Sequence, residues 1–152
     1  MKHFTSLEDV SDPNKLISEA LAIKSDPFQT PELGKNQTIG LVFFNSSLRT
    51  RMSMTRAAFN LGLSVITLNV NADTWQLEFV DGSIMDGATV EHIKEAVPVL
   101  CSYCDLLAVR SFPGLIDKAE DYSEKVLNSF IKFGTVPIIN MESATLHPLQ
   151  SL

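Results

Sequence analysis

The sequence predicts an α/β domain with a doubly wound, mainly parallel sheet and helices on both faces. Three observations lead to this prediction. The 152 residues contain four near-continuous apolar runs, segments with helical periodicity separate the runs, and their spacing suits strand–helix–strand crossovers. We expect these runs to be strands covered on both faces: TIGLVFF (38–44), SVITLNV (64–70), DLLAVR (105–110) and VPIINM (136–141).

The first helices are recognised by their ends and by their spacing. The stretch SDPNKL opens an early helix, because Ser11 or Asp12 can cap it and Pro13 suits its first turn. The stretch 50–62 carries apolar residues at the spacing of one helix face, and Gly62 is a typical C-terminal stop. A helix is therefore expected directly after the first of the four strands.

The second half of the chain contains two more helical segments and two long connections. Helices are expected over about 89–103, where Pro98 would kink or split the helix, and over about 122–133. The connections 71–89 and 111–121 are longer than plain links between elements need to be. Long connections in such domains are often functional.

The composition limits the classes of partner. A net charge of -6 with 45% hydrophobic residues is typical of a globular domain and leaves no spread basic surface for nucleic acid or an anionic membrane. No apolar stretch approaches the roughly 20 residues that cross a bilayer, and the N-terminus shows no secretory signal, so we expect a cytoplasmic location. Cys101 and Cys104 form a CSYC stretch that could be redox-active or half of a zinc site. Because no histidine pair accompanies it, we interpret these residues as buried structural thiols.

Three of the four arginines stand together in this acidic chain, at Arg49, Arg51 and Arg56. They follow the first strand and open the next helix, at the sheet edge where doubly wound folds bind ligands. Free N–H groups at a helix start, the hydroxyls of Ser47 and Thr50, and the forked Arg49 guanidinium suit a phosphate or carboxylate. Positive charge in the first turn opposes the helix dipole, which favours anion binding over chance surface arginines. Because the positive charge is confined to this stretch, the expected anion is small. The sequence has no glycine-rich phosphate loop, so nucleotide binding is not supported.

Further hydrogen-bond donors follow the later strands. Arg110 ends the strand DLLAVR, and His147 and Gln150 lie in the stretch HPLQ, shortly after the last strand. All three are expected at the same edge of the sheet as the arginine stretch. Such a set of donors suits an oxygen-rich ligand whose negative charge grows during a reaction. A lone histidine is more often structural, but the position of His147 at this edge favours a catalytic role.

Two motifs resemble those of a known family. FNSSLRTR resembles the F-x-x-x-S-T-R-T-R phosphate signature of the aspartate and ornithine carbamoyltransferases, and HPLQ resembles their H-P-x-Q. The order and separation of the motifs fit, although Leu48 stands where most relatives have threonine. The resemblance covers the whole chain and implies a carbamoyl-phosphate-binding domain over 1–146. It further implies that 147–152 opens a helix linking to a second α/β domain, which would bind the acceptor.

The resemblance also implies roles for individual residues. Those implied to bind carbamoyl phosphate are Ser47, Leu48, Arg49, Thr50, Trp75, Arg110, His147 and Gln150. Five of them are implied to act in catalysis: Arg49, Thr50, Arg110, His147 and Gln150. Thr50, Arg110 and His147 would polarise the carbonyl oxygen, and Gln150 would orient the carbamoyl NH2 group. No metal or organic cofactor is implied.

Other segments are similar to the branch of the family that acts on N-acylornithines. In that branch a tryptophan at the position of Trp75 enters the neighbouring subunit's site, which implies a homo-oligomer, a trimer in this family. Composition alone would place a lone tryptophan in the core. Acetylornithine enzymes carry a glutamate where this chain has Val90, and a carboxylate there would repel a succinyl group. Val90 therefore favours a succinyl acceptor. Glu142 is either an acceptor contact or a helix-start carboxylate.

Taken together, the resemblance implies a transferase of arginine biosynthesis that carbamoylates the δ-amine of N-succinyl-L-ornithine, with N-acetylornithine or ornithine as alternative acceptors. The base that accepts the amine proton stays open between the phosphate and a residue of the second domain. Without that domain the chain is expected to be inactive. A function from another class, a non-catalytic anion-binding α/β module, would explain the arginine stretch but not the convergence of Arg110, His147 and Gln150.

Overall fold

A computed structural model describes residues 2–70, 76–80, 82–84 and 89–150 of the chain. Within these ranges the helices α1 to α5 span Pro13–Ser25, Leu48–Leu61, Ile93–Tyr103, Lys118–Tyr122 and Lys125–Phe133. The strands β1 to β6 span Thr38–Phe43, Ser64–Asn69, Leu77–Glu78, Glu91–His92, Leu106–Arg110 and Ile138–Glu142. A short 3-10 helix, Leu7–Asp9, precedes α1. No helix in the described ranges is long and apolar enough to cross a bilayer.

Four of these strands form one parallel sheet in the order β2-β1-β5-β6. The chain leaves β1, forms β2 on one side of it, and later places β5 against its other side. This reversal makes the carboxyl ends of β1 and β5 the switch point of the sheet, where a crevice opens in doubly wound folds. Phe43 at the end of β1 is in register with Asn69 of β2 and Arg110 of β5. The topology therefore brings three strand ends to one edge.

Helices cover both faces of this sheet. On one face, Ala58 of α2 packs in a cluster with Leu41 and Phe43 of β1. On the other face, Val97 of α3 and Phe130 of α5 share a cluster with residues of the same sheet, including Val42, Leu107, Val109 and Ile138. Strands that bury both faces need apolar residues at nearly every position, which explains the continuous apolar runs. The predicted doubly wound sheet with helices on both faces is confirmed.

The first helix begins, and the second helix ends, where the sequence predicts. Asp12 caps α1 by accepting a hydrogen bond from the Lys15 amide at 3.0 Å, and Pro13 occupies the first helical position. At the end of α2, Gly62 adopts a φ of +80°, and a Cβ there would lie 2.1 Å from the carbonyl oxygen of Pro31. Only glycine tolerates both this backbone conformation and the close approach.

The predicted start of the third helix is wrong. α3 begins at Ile93 rather than near residue 89, because Glu91–His92 pairs in parallel with Leu77–Glu78. One strand of this second, two-stranded sheet lies in the long connection 71–89 and the other lies in the predicted helix. Both strands are too short to produce a periodic pattern. Pro98 lies within α3, which is not split there.

The prediction of one continuous helix over 122–133 is also wrong. This stretch consists of the end of α4 and the whole of α5, which are separated by Ser123 and Glu124. Glu124 adopts a left-handed conformation with a φ of 50°, and one residue in that conformation breaks a right-handed helix. Apolar periodicity did not reveal the break, because it records which face is buried and not the backbone angle of one residue.

The last strand, β6, begins two residues later than predicted and continues one residue further. Pro137 has no N–H to donate to a neighbouring strand, although its carbonyl accepts a bond from Leu107 at 3.0 Å. The outer edge of β6 is covered by the N-terminal segment. The Phe4 amide donates to the Ile138 carbonyl, and the Phe4 carbonyl accepts from the Asn140 amide, both at 2.8 Å.

Both cysteines are free thiols. Cys104 is buried where α3 ends, and burial, reinforced by Cys101 and Asp105, raises the pKa of its thiol. Cys101 is only partly buried. The prediction of buried structural thiols is therefore right for Cys104 and only partly right for Cys101.

The N-terminal segment is expected to hold β6 in a pH-dependent way through His3. The His3 Nδ1 atom accepts a hydrogen bond from the Ile138 amide at 3.1 Å, which requires that nitrogen to be unprotonated. Burial and the nearby Lys2 lower the pKa of His3 from 6.5, against the opposing effect of Asp9. A lowered pKa means that His3 stabilises the fold fully above pH 6.5, and that this contribution is lost as the pH falls through the lower folded pKa.

Hydrogen exchange at the Ile138 amide measures this effect. After correction for the intrinsic exchange rate, protection should be lower at pH 5 than at pH 7.5. A His3→Gln variant keeps an acceptor that does not titrate, so its protection should not change over the same range. Equal loss of protection in both proteins would show that His3 is not the group responsible.

Candidate active site

The start of α2 forms a small polar cradle directly beyond β1. Ser47 caps the helix, and its Oγ atom accepts a hydrogen bond from the Thr50 amide at 3.3 Å. The same hydroxyl donates to Thr50 Oγ1 at 2.9 Å. Leu48 occupies the first helical position and is 75% exposed, and it offers a backbone N–H but no polar side-chain group. The two hydroxyls and the free amides of this turn are arranged as a site for an anion.

Arg49 projects into solvent from this first turn. Its guanidinium makes no hydrogen bond or ion pair with any residue that the structure describes, and its side chain is exposed. A positive charge at this end of a helix is unfavourable, since the helix dipole is also positive there. An anion bound in the cradle would reverse this cost, because it would attract both the guanidinium and the helix end.

The other two arginines of the cluster serve the packing of α2 instead. Arg51 donates a hydrogen bond to Asn69 and lies over the Phe43 ring, 4.8 Å from its centroid. Arg56 lies over the rings of Phe28 and Phe59, at 5.2 and 5.5 Å. The three arginines are close in sequence, but two of them do not add their positive charge to the cradle. Of the three, Arg49 is the one available to a ligand.

Arg110 joins the end of β5 to the cradle. It is 8% exposed, and its Nη1 atom donates to the carbonyl oxygens of Asn45 and Ser46 at 3.1 and 3.4 Å. Ser46 directly precedes the capping residue Ser47, so the Arg110 guanidinium and the cradle are adjacent. The loops at this edge are further tied together by the Phe112 amide, which donates to Asn45 Oδ1 at 2.8 Å. The predicted meeting of Arg110 with the arginine stretch is thus present in the structure.

Glu142 is the partner of Arg110. The Nε and Nη2 atoms of Arg110 donate to Glu142 Oε2 at 3.0 and 2.7 Å, and the two residues are in register on neighbouring strands. His147 Nε2 lies 3.9 Å from the same carboxylate oxygen. The carboxylate offsets the positive charge of Arg110 and lies between the guanidinium and the His147 ring. Sequence reasoning treated Glu142 only as an acceptor contact or a helix start, although its position at the end of a strand beside β5 could have indicated the pair.

The stretch HPLQ follows β6 as a turn that is anchored at its proline. Pro148 is fully buried, and the Gln150 amide donates to the His147 carbonyl at 2.9 Å. The His147 side chain is partly buried against the sheet edge, whereas Gln150 is exposed. His147 is therefore placed with Arg110 and Glu142, and Gln150 lies two residues beyond the buried anchor.

Two further site residues were predicted, Val90 and Trp75. Val90 directly precedes β4 and is 66% exposed, and its amide donates to the Gln76 carbonyl at 2.9 Å. An exposed side chain at this position can act on a ligand or a partner that reaches it. Trp75 lies outside the described residues.

Comparisons with known proteins identify relatives of the chain. Residues 2–152 match the family described as aspartate/ornithine carbamoyltransferase, carbamoyl-P binding domain. An N-succinylornithine carbamoyltransferase of Bacteroides thetaiotaomicron is 48% identical over 99% of this chain and 48% of its own length. An N-acetylornithine carbamoyltransferase of Xanthomonas campestris pv. campestris is 43% identical over 100% of this chain and 44% of its own length. The chain therefore spans about half the length of these relatives.

Solved structures give a consistent comparison. The crystal structure of an acetylornithine transcarbamylase complexed with acetylcitrulline superposes on this chain with a TM-score of 0.90 and 41% sequence identity. The superposition covers 99% of this chain and 45% of that one. The same scores hold for an N-acetyl-L-ornithine transcarbamylase in which one glutamate is replaced by valine, complexed with carbamyl phosphate and N-succinyl-L-norvaline.

Proposed function

This chain belongs to the aspartate/ornithine carbamoyltransferase family, and we propose on that basis that the whole protein carbamoylates the δ-amine of N-succinyl-L-ornithine. The observation that carries the proposal is the contact of Arg110 with the Ser46 carbonyl. It sets a buried guanidinium beside the anion cradle of Ser47, Arg49 and Thr50. The cradle can therefore hold the phosphate of carbamoyl phosphate, while Arg110 holds the carbonyl oxygen of the carbamoyl group.

In the proposed mechanism, the cradle holds the leaving phosphate. The hydroxyls of Ser47 and Thr50, the Leu48 amide and the Arg49 guanidinium bind the phosphate oxygens of carbamoyl phosphate. Ser47 now donates to Thr50, and it would turn this hydrogen to the phosphate when the ligand binds. Stabilisation grows as the carbon–oxygen bond breaks, because the negative charge on the phosphate increases at that point.

On the other side, Arg110 and His147 polarise the carbonyl. Nη2 of Arg110 carries two hydrogens, and one bond to Glu142 leaves the second available to the carbonyl oxygen. With Thr50 and His147 it stabilises the oxyanion formed when the δ-nitrogen attacks the carbon, and Gln150 orients the carbamoyl NH2 group. The nitrogen–carbon bond forms, the carbon–phosphate oxygen bond breaks, and the amine proton passes to the phosphate or to a base of the second domain. The chain supplies positioning and charge, with no cofactor assigned.

The succinyl acceptor is proposed from Val90 and from the relatives. The Bacteroides relative carries the name of an N-succinylornithine enzyme. The acetylornithine enzyme with a glutamate replaced by valine was crystallised with a succinyl compound. An apolar side chain at the exposed position of Val90 would likewise leave room for the succinyl carboxylate without repulsion. Glu142, already beside Arg110, is proposed to meet the acceptor's polar groups.

The test of the function is a carbamoyl-transfer assay of the whole protein with three acceptors. We expect the highest kcat/KM with N-succinyl-L-ornithine, a lower value with N-acetyl-L-ornithine, and the lowest with ornithine. Turnover of free ornithine alone would contradict the acyl-acceptor proposal. Binding of carbamoyl phosphate without transfer to any of the three would favour the non-catalytic anion-binding module instead.

Changing Val90 to glutamate is expected to shift the acceptor preference from succinyl to acetyl. A carboxylate near the succinyl carboxylate should reduce kcat/KM for N-succinyl-L-ornithine about tenfold, and affect the acetyl substrate much less, since one unfavourable charge contact costs on the order of 1 kcal/mol. Val99→Glu serves as the control, because Val99 is also exposed but belongs to α3. The measurement is the ratio of the two kcat/KM values. The same ratio in Val90→Glu and in the unmodified protein would remove the case for Val90.

The protein is further proposed to be a homo-oligomer, a trimer in which Trp75 of one copy closes over the cradle of the next. Sedimentation equilibrium measures the assembly, and a monomer that is fully active would exclude it.

We also propose the division into a carbamoyl-phosphate domain over 1–146 and a link over 147–152 to an acceptor domain. A role in arginine biosynthesis and a cytoplasmic location are proposed as well.

A further inference from the structure

Glu124 directs its side chain away from the helix that it begins. It occupies the position before α5, yet makes no side-chain hydrogen bond to cap that helix. Its backbone is left-handed, with φ 50° and ψ 35°. Glutamate in this conformation costs of the order of 1 kcal/mol relative to glycine, so the surrounding structure must hold it there.

The carboxylate instead accepts hydrogen bonds from four donor groups of Ser143, Ala144 and Thr145, which belong to the loop of residues 143–146. Oε1 accepts from Ser143 Oγ at 2.8 Å, from the Thr145 amide at 2.7 Å and from Thr145 Oγ1 at 2.6 Å. Oε2 accepts from the Ala144 amide at 3.3 Å. We refer to these four contacts as the Glu124 clasp. A charged acceptor strengthens each bond, and four donors on one carboxylate leave the loop little freedom.

The clasped loop connects two proposed site residues. It begins directly after Glu142, which binds Arg110, and it leads through Leu146 to His147. A hydrogen bond joins the two ends of the loop, because the Ser143 amide donates to the Leu146 carbonyl at 2.8 Å. The buried side chain of Asn140 adds donors to Ser143 Oγ and the Leu146 carbonyl at 3.1 and 3.4 Å. A displacement of the loop would therefore move Glu142 and His147 together.

We propose that Glu124 is a positioning residue for the reaction, which acts by fixing the 143–146 loop and with it Glu142 and His147. The proposal rests on the proposed function. Glu124 itself touches none of the residues assigned to the phosphate. Its loss should therefore impair the attack on the carbonyl, where His147 and the Arg110–Glu142 pair act, and should leave the binding of phosphate at Ser47 and Arg49 nearly unchanged.

The primary test is Glu124→Gln in the whole protein. The amide keeps the size of the side chain, but four donors then compete for one neutral acceptor oxygen. We expect kcat to fall at least fivefold, while KM for carbamoyl phosphate changes less than threefold. Glu120→Gln is the matched control, because its side chain lies on the neighbouring helix α4 outside the clasp, and it should retain the kcat of the unmodified protein. A fall of less than fivefold for Glu124→Gln overturns the proposal.

A double variant separates positioning from general loss of structure. If Glu124 acts through His147, then Glu124→Gln should lower kcat by less than twofold when His147 is already alanine. An equal factor in both backgrounds overturns the route through His147. Should Glu124→Gln not fold, Thr145→Ala removes only the 2.6 Å hydroxyl donor. It should lower kcat at least twofold, and an unchanged kcat overturns the proposal.

Hydrogen exchange provides a readout that does not depend on activity. Exchange at the Thr145 amide should rise at least tenfold in Glu124→Gln, whereas the amide of Val109 in the sheet core should keep its protection. Unchanged exchange at Thr145 overturns the clasp. An unmodified protein that transfers no carbamoyl group contradicts the proposed function itself, whereas an active protein with normal Glu124→Gln kinetics contradicts only the positioning role.

Discussion

Replacing Arg49 with alanine in the whole protein is expected to lower kcat/KM for carbamoyl phosphate at least ~100-fold, or about 3 kcal/mol of transition-state stabilisation. The expectation follows from the exposed guanidinium in the first turn of α2, beside the hydroxyls of Ser47 and Thr50. As the phosphate leaves it gains negative charge, and a charge-assisted bond to it is then strongest. The effect should appear in both kcat and KM, because the phosphate is bound before and after the reaction.

Arg56→Ala is the matched control for this experiment. It removes the same side chain from the same helix, but Arg56 lies over Phe28 and Phe59 and serves packing. We expect its kcat/KM to stay within threefold of the unmodified protein, at some cost in stability. A loss of less than tenfold for Arg49→Ala would contradict the proposed phosphate contact, as would an equal loss in the two variants.

Replacing Phe130 with alanine is expected to reduce the free energy of unfolding by about 3–5 kcal/mol. Phe130 is fully buried beneath the sheet and meets the Phe44 ring edge-on, with centroids 6.1 Å apart and an interplanar angle of 89°. Alanine would leave a cavity in the cluster that joins α5 to the sheet and forfeit the aromatic contact. Because Phe44 directly precedes the loop to the cradle, this loss would also loosen the start of the site.

Chemical denaturation monitored by circular dichroism measures this loss. Phe59→Ala is the control, since Phe59 is 65% exposed on α2 and should change the stability by no more than about 1 kcal/mol. A loss below 1 kcal/mol for Phe130→Ala would mean that the cluster between α5 and the sheet is not the principal core on that face.

Several features could be predicted because their causes are local. Asp12 as the cap of α1 and Gly62 as the end of α2 follow from side-chain hydrogen bonding and from backbone freedom, which act within a few residues. The burial of both sheet faces is visible in the composition of each strand. The common edge of Arg110 and the arginine stretch followed from the rule that parallel strands end on one side.

Other parts could not be predicted because they depend on contacts between distant segments. Arg51 and Arg56 lie close to Arg49 in sequence, but the helix turns Arg51 to another face and carries Arg56 two turns further along. There they lie over the rings of Phe43 and Phe28. The short pairing of Glu91–His92 with Leu77–Glu78 has no periodicity of its own. It displaced the predicted start of α3 by four residues.

The sequence by itself determined the class of fold and the common edge at which the parallel strands end, since the apolar pattern and the helix stop signals act over a few residues. It also supplied the residues that are proposed as the anion cradle. The tertiary structure alone decided how the charges are used. Arg110 binds Glu142 because β5 and β6 are neighbours in register, and Glu124 holds the loop before His147 because α5, which follows Glu124, packs against β6. Such pairings depend on which strands and helices become neighbours. Long-range packing decides this adjacency, and local propensity does not.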